Sequence, residues 1–163
     1  MTPIFQTITD HNPAEGRYGN CTQAAIASIL DLPLDAVPHF CVELPQDLEG
    51  GIEESRRVNE WLRERGLTLV ELGYHAENIP SWQEDWKRRG ASFYHLMSGI
   101  SPRGFCHCTV GMNGKVIHDP HPIGGELKPL ENGTYVFGFI LPMVLACDKQ
   151  EVPIAATFEV RRK

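Results

Sequence analysis

Asn20–Cys21–Thr22–Gln23–Ala24–Ala25–Ile26–Ala27–Ser28–Ile29–Leu30 is the most apolar helical stretch of the chain, and its reading decides the fold. Turn formers from Asn12 to Asn20 lead into it, and Leu32–Pro33 ends it. Only Thr22, Gln23 and Ser28 interrupt the hydrocarbon between Cys21 and Leu30. A helix from Cys21 to about Asp31 is apolar nearly all round, so it is predicted to be buried with neighbours on several sides. Asn20 reads as its N-cap, which puts Cys21 in the first helical turn. Unpaired backbone N–H groups and the positive end of the helix dipole favour a thiolate there over a thiol.

Outward from this helix the pattern changes character. A short helical turn is expected at Leu34–Asp35–Ala36–Val37, before Pro38. A second helix is predicted over Ile52–Arg65, with Ile52, Val58, Trp61 and Leu62 on one face and Glu53–Arg57 as an i,i+4 pair on the other. Gly66 stops it. Thr68–Leu72 reads as a strand, and Trp82–Arg89 as a short helix whose Trp82 and Trp86 share a packing face. From there the signal is mostly β: Ser92–Met97, Gly104–Gly111, Lys115–His118, Thr134–Leu141 and Ile154–Val160. Residues 1–20 read as irregular, with a short strand near Phe5. Helices first and strands later give an α+β fold, a buried N-terminal helix packed on a twisted antiparallel sheet.

The 163 residues fit a single domain, 1–163, long enough to bury a core. A formal net charge of −6 argues against a nucleic-acid partner, which calls for a basic face. No apolar run approaches the roughly 18 residues that span a bilayer, so no membrane partner is expected. The opening residues carry no secretory-signal pattern. Five cysteines (Cys21, Cys41, Cys106, Cys108, Cys147) are an odd number without regular spacing, the usage of a reducing cytoplasm with free thiols.

A thiol nucleophile needs a base. Phe105–Cys106–His107–Cys108–Thr109–Val110–Gly111 is a strong strand run, Asn113–Gly114 a hairpin signal, and Lys115–Val116–Ile117–His118–Asp119 the return strand before Pro120. Alternation puts Cys106, Cys108 and Val110 on one face and Phe105, His107 and Thr109 on the other. A histidine with an aspartate on the partner strand suits a Cys–His–Asp arrangement, in which the carboxylate orients the imidazole and the imidazole takes the thiol proton. Register decides it. A two-residue loop pairs Cys108 with Asp119 and leaves the carboxylate on the wrong face. A three-residue loop, or an equivalent bulge, brings His107 and Asp119 to the same face. Cys106–His107–Cys108 with His118 and His121 also hints at a metal, but neighbouring strand residues point to opposite faces and no CxxC pair exists, so neither metal nor cofactor is expected. Arg103–Gly104, just before the histidine strand, reads either as cleft lining or as a solvated loop.

Nucleophile at a helix start, then histidine and aspartate on later strands, resembles the papain-like cysteine peptidases, most closely the compact double-glycine leader peptidase domains and small bacterial and phage proteins of that superfamily. The resembling segments are Gly19–Ser28, Leu32–Phe40 and Ser101–Gly111 running to Pro122, under half of the chain but in the same order. The resemblance implies a papain-like fold with nucleophile Cys21, base His107 and orienter Asp119. The implied activity is thiol-dependent cleavage of an amide, peptide or isopeptide bond in a protein or peptide substrate, through a thioester. The backbone N–H of Cys21 is the expected oxyanion site, with Asn20, Tyr18 or Gln23 as candidates for a second donor. One departure stands out: Glu15 occupies the position six residues before the cysteine, where that superfamily carries an oxyanion-binding Gln. An anion there opposes developing negative charge. Deamidation or acyl transfer with the same triad is the enzymatic alternative, and Glu15 favours a third, a papain-like binding module without catalysis.

Overall fold

The protein is described by a computed structural model over residues 1–45 and 47–143. Helix α1 spans Cys21–Leu30, α2 Leu48–Arg63 and α3 Ile79–Arg89; strands β1 Leu67–His75, β2 Tyr94–Ile100, β3 Cys106–Met112, β4 Lys115–His118 and β5 Thr134–Pro142 form one antiparallel sheet in the order β1-β5-β2-β3-β4. The α+β class and the buried first helix are as read from the sequence. Ala24, Ala25, Ile26 and Ala27 of α1 are all at 0% exposure, which fits its all-round hydrocarbon surface.

Strand alternation explains the layering. Leu96 of β2 packs with Leu69, Cys108 and Val110 against α1 and with Val58 and Leu62 of α2. Its neighbour Met97 points the other way and joins Phe137 and Ile79 beneath α3. Trp82 of α3 stacks on Tyr74 at 4.4 Å and meets Phe137 edge-on, so the expected tryptophan face is a packing face.

Several boundaries differ for local reasons. Helix α2 begins a turn before Ile52, because Asp47 caps it, Oδ1 accepting from the Gly50 N–H at 3.0 Å. Strand β1 runs on to His75, because β5 pairs with it from Leu67↔Pro142 to His75↔Thr134. Phe5 is not in a strand; its ring lies edge-on to His118, and the backbone around it is held by single bonds such as Gln6 N–H to Pro120 O at 2.9 Å. The expected strand Ile154–Val160 and Cys147 lie outside the described residues.

The β3–β4 hairpin takes the two-residue turn. Asn113 and Gly114 both have positive φ (51° and 77°), and Met112 faces Lys115. The face parity that the triad requires comes instead from a bulge one pair further on: Gly111 faces Val116, but Val110 faces His118, leaving Ile117 as the extra residue. Buried His95 holds this hairpin. Its Nε2 accepts from the Gly114 N–H at 3.0 Å, so Nδ1 carries the proton and donates to Leu96 O at 3.0 Å. Burial lowers its pKa and keeps the ring neutral.

Gly111 lies against that ring; a Cβ there would sit 2.2 Å from Cε1 of His95. With the imidazole pinned at both nitrogens, Gly111→Ala is expected to destabilise the protein by about 2–3 kcal/mol, read as a lower urea midpoint at unchanged slope. An unshifted midpoint would show that the ring moves freely.

Candidate active site

Cys21 opens α1, as expected, but not through an N-cap by Asn20. The Asn20 side chain makes no cap bond; its φ is −108° and ψ 39°. It is 2% exposed, and each end of its amide has two partners. Oδ1 accepts from the Thr7 and Ile8 N–H groups at 3.1 and 2.9 Å, while Nδ2 donates to Thr7 Oγ1 and Gln23 Oε1 at 3.2 and 2.9 Å. Gln23 passes the linkage on, donating from Nε2 to Leu34 O and Val37 O. Asn20 is therefore removed as an oxyanion donor, because both of its amide hydrogens are spent. It is a clamp that fixes the start of α1 against the N-terminal segment.

The tip of α1 meets the outer edge of β3. The β3–β4 ladder ends at Val110↔His118, and beyond it the Cys108 N–H donates to Cys21 Sγ at 3.5 Å. His107, next along β3 and 5% exposed, donates to Asp119 Oδ1 from Nε2 at 2.6 Å and lies close enough to Cys21 for the sulfur to act on its titration. With Nε2 taken by the carboxylate, Nδ1 is the nitrogen left for the sulfur. The structure thus brings together Cys21, His107 and Asp119, the three residues named from the sequence.

The electrostatics follow from this packing. Burial pushes the His107 pKa down, but the Asp119 hydrogen bond, the hydrogen bond and charge of Cys21, and the Asp119 charge outweigh it and hold the ring at about 9. Burial likewise works against the Asp119 carboxylate; the His107 bond, the His121 N–H at 2.8 Å and the Arg103 charge overcome it and keep its pKa low. The neighbouring thiols are driven the other way. Desolvation, with the Cys21 and Glu54 charges, raises Cys108, and raises Cys106 to about 11 where its side chain lines the cleft. Burial, Glu54 and Cys21 raise Cys41, whose Sγ donates to Glu54 Oε1 at 2.9 Å.

A cleft of about 630 Å³ runs past Cys21 and His107, with Arg103 and Gly104 in its wall, the first of the two roles left open for that pair. Glu15 is not among its lining residues. It lies exposed in the 3-10 turn Pro13–Glu15 and pairs with Arg17 at 2.6 Å, so the objection raised by its six-residue spacing falls away. Gln6 lines the cleft instead. It is 7% exposed, tied by its backbone to Pro120, and uses one hydrogen of Nε2 on Ile8 O at 2.8 Å. Sequence reasoning missed it because fold, not spacing, carries the N-terminal segment past the Asp119 loop. Among the described residues no cluster of three His, Cys, Asp or Glu side chains is arranged to hold a metal, and no helix is long and apolar enough to cross a membrane. No protein-family model, curated protein or solved structure matches the chain.

The raised His107 pKa has a consequence for stability. A ring whose folded pKa lies above its unfolded value of 6.5 stabilises the fold fully below about pH 6.5, and that contribution is lost as pH rises through about 9. Asp119→Asn weakens this contribution. The stability gap between wild type and variant is expected to shrink by about 2 kcal/mol from about pH 6 to about pH 10, by urea unfolding at each pH. A pH-independent gap would show that the ring and carboxylate are not coupled.

Proposed function

We propose that this protein is a thiol-dependent hydrolase of papain-like design that cleaves an amide, peptide or isopeptide bond in a protein or peptide substrate. The observation that carries the reading is His107, bonded to the Asp119 carboxylate and close enough to Cys21 to feel its charge, beside an open cleft. His107 takes the Cys21 proton, and the sulfur adds to the carbonyl carbon. The first-turn N–H of Cys21 and the second hydrogen of Gln6 Nε2 stabilise the oxyanion. The imidazolium then protonates the departing nitrogen as the carbon–nitrogen bond breaks, leaving a thioester. Water, deprotonated by His107, attacks the thioester, and the thiolate leaves. Deamidation and acyl transfer use the same steps with a different leaving group or acceptor. The binding-module alternative rested on Glu15, which does not face the site. The cytoplasm is the proposed setting, supported by the unpaired state of Cys21, Cys41, Cys106 and Cys108.

Alkylation by iodoacetamide followed by peptide mapping tests the reading. Of the described thiols, Cys21 is expected to react fastest at about pH 7, with Cys41, Cys106 and Cys108 held back by their raised pKa values. His107→Ala is expected to slow the Cys21 reaction about a hundredfold. Hydrolysis is expected to fall as pH rises through about 9, where the imidazolium is lost. Four thiols of equal reactivity would contradict the assignment.

A further inference from the structure

Beside the nucleophile the cleft opens into a second cavity of about 420 Å³. The two share a wall of Thr22, Gly51, Glu54, Ser98, Cys106 and Cys108, and the Cys108 N–H touches the Cys21 sulfur. Hydrocarbon makes up most of the second cavity: Val58, Leu69, Leu96 and Val136 form its wall, with exposed Leu48 and Ile52 of α2 beside them. Two carboxylates, half-buried Glu54 and exposed Glu71, line this apolar space.

These two differ from the other acids of their neighbourhood. Glu53 and Glu60 pair with Arg56, Glu53 also with Arg57, and Asp85 with Arg88 and Arg89. Glu54 and Glu71 are in none of the ion pairs among the described residues; Glu54 accepts from Cys41 Sγ and Glu71 from Ser55 Oγ. Glu71 is exposed at the rim of the cavity, where partial desolvation and the Glu54 charge raise its pKa, the state of a carboxylate that a bound cation would relieve. The cleft's guanidinium, Arg103, is turned to Gly124 and acts on Asp119 and His121.

A second, independent acceptor lies at the nucleophile end. Gln6 Oε1, on a side chain that is 7% exposed and lines the cleft, is the only buried side-chain nitrogen or oxygen without a hydrogen-bond partner among the described residues. A buried orphan acceptor is costly unless something donates to it. Between Gln6 and Glu71, then, the acceptors Gln6 Oε1, Glu54 and Glu71 are set along a largely apolar wall. The complementary ligand is a donor-rich chain carrying a long apolar stem with a cationic head, which describes a lysine or arginine side chain on a peptide.

We propose that the cavity holding Glu54 and Glu71 is a specificity subsite for a lysine or arginine next to the bond that Cys21 attacks, with Gln6 Oε1 accepting from a peptide N–H. The proposal rests on Cys21 being the nucleophile, and the test separates the two. Dipeptidyl chloromethyl ketones bearing arginine, norleucine or glutamate at either residue before the electrophile are reacted with the protein, and Cys21 modification is followed by mass. Arginine is expected to label at least about fivefold faster than norleucine, with glutamate slowest. The arginine-to-norleucine ratio is expected to fall in Glu71→Gln and to approach one when Glu54→Gln is added. Equal rates for arginine and norleucine in the wild type would overturn the subsite while leaving Cys21 as nucleophile. Failure of every compound to label Cys21 would overturn the hydrolase reading alone. The subsite is then judged by titrating Cys21→Ala with acetyl-arginine amide and acetyl-norleucine amide. NMR shifts at the Glu54 and Glu71 amides with arginine only would uphold it, and their absence would overturn it.

Discussion

One extra residue in a β-ladder sets the geometry of the whole site. Ile117 has no partner between Gly111↔Val116 and Val110↔His118, and this slip turns Asp119 onto the face of His107. Beyond the slip, β4 no longer covers β3, so the strand edge at Cys108 is open to the tip of α1. Without the bulge a two-residue turn would aim the carboxylate at the opposite face. The bulge is anchored by contacts that have nothing to do with the cleft. His95 fastens the turn at Gly114, and His118 Nε2 donates to Ile4 O at 2.9 Å, drawing the N-terminal segment across the end of β4. The same segment delivers Gln6 to the cleft and is held against α1 by Asn20.

The surroundings of the cleft favour the protonated form of three thiols, Cys41, Cys106 and Cys108. His107 is buried, which alone would keep it neutral, and only its partnership with Asp119 and Cys21 makes the imidazolium the favoured form. Cys41 and Cys108 meet hydrocarbon and the negative charge of Glu54, which both favour the protonated thiol. Cys106, adjacent in sequence to His107, is pushed to about 11 by desolvation and by the Cys21 and Glu54 charges. Proximity to a histidine in sequence therefore does not lower the Cys106 pKa.

The parts of the fold and site that were legible in the sequence are those written in short-range patterns. The unbroken hydrocarbon of Ala24–Ala27 announced a buried helix, Asn113–Gly114 announced the turn, and alternation placed His107 opposite Cys106 and Cys108. The need for a bulge could be deduced from parity, but not its position, because Ile117 looks like any other strand residue. The insertion of β5 between β1 and β2 depends on long-range pairing with no local signal. Asn20 was misread because its composition suits a cap, whereas tertiary partners at Thr7 and Ile8 claim its amide. Glu15 and Gln6 show the same limit in reverse. Distance along the chain suggested that Glu15 stands beside Cys21, whereas a 3-10 turn and a left-handed Gly16 carry it out to solvent and Gln6 lines the cleft.

The central claim is that Cys21 and His107 form one charge-coupled unit. NMR titration of the His107 ring in the wild type and in Cys21→Ala tests it most directly. In the wild type the ring is expected to titrate at about 9, and removing the sulfur is expected to lower that value clearly, since the hydrogen bond and charge of Cys21 both raise it. A titration that is the same with and without the thiol would contradict the account, because base and nucleophile would then be neighbours without being partners.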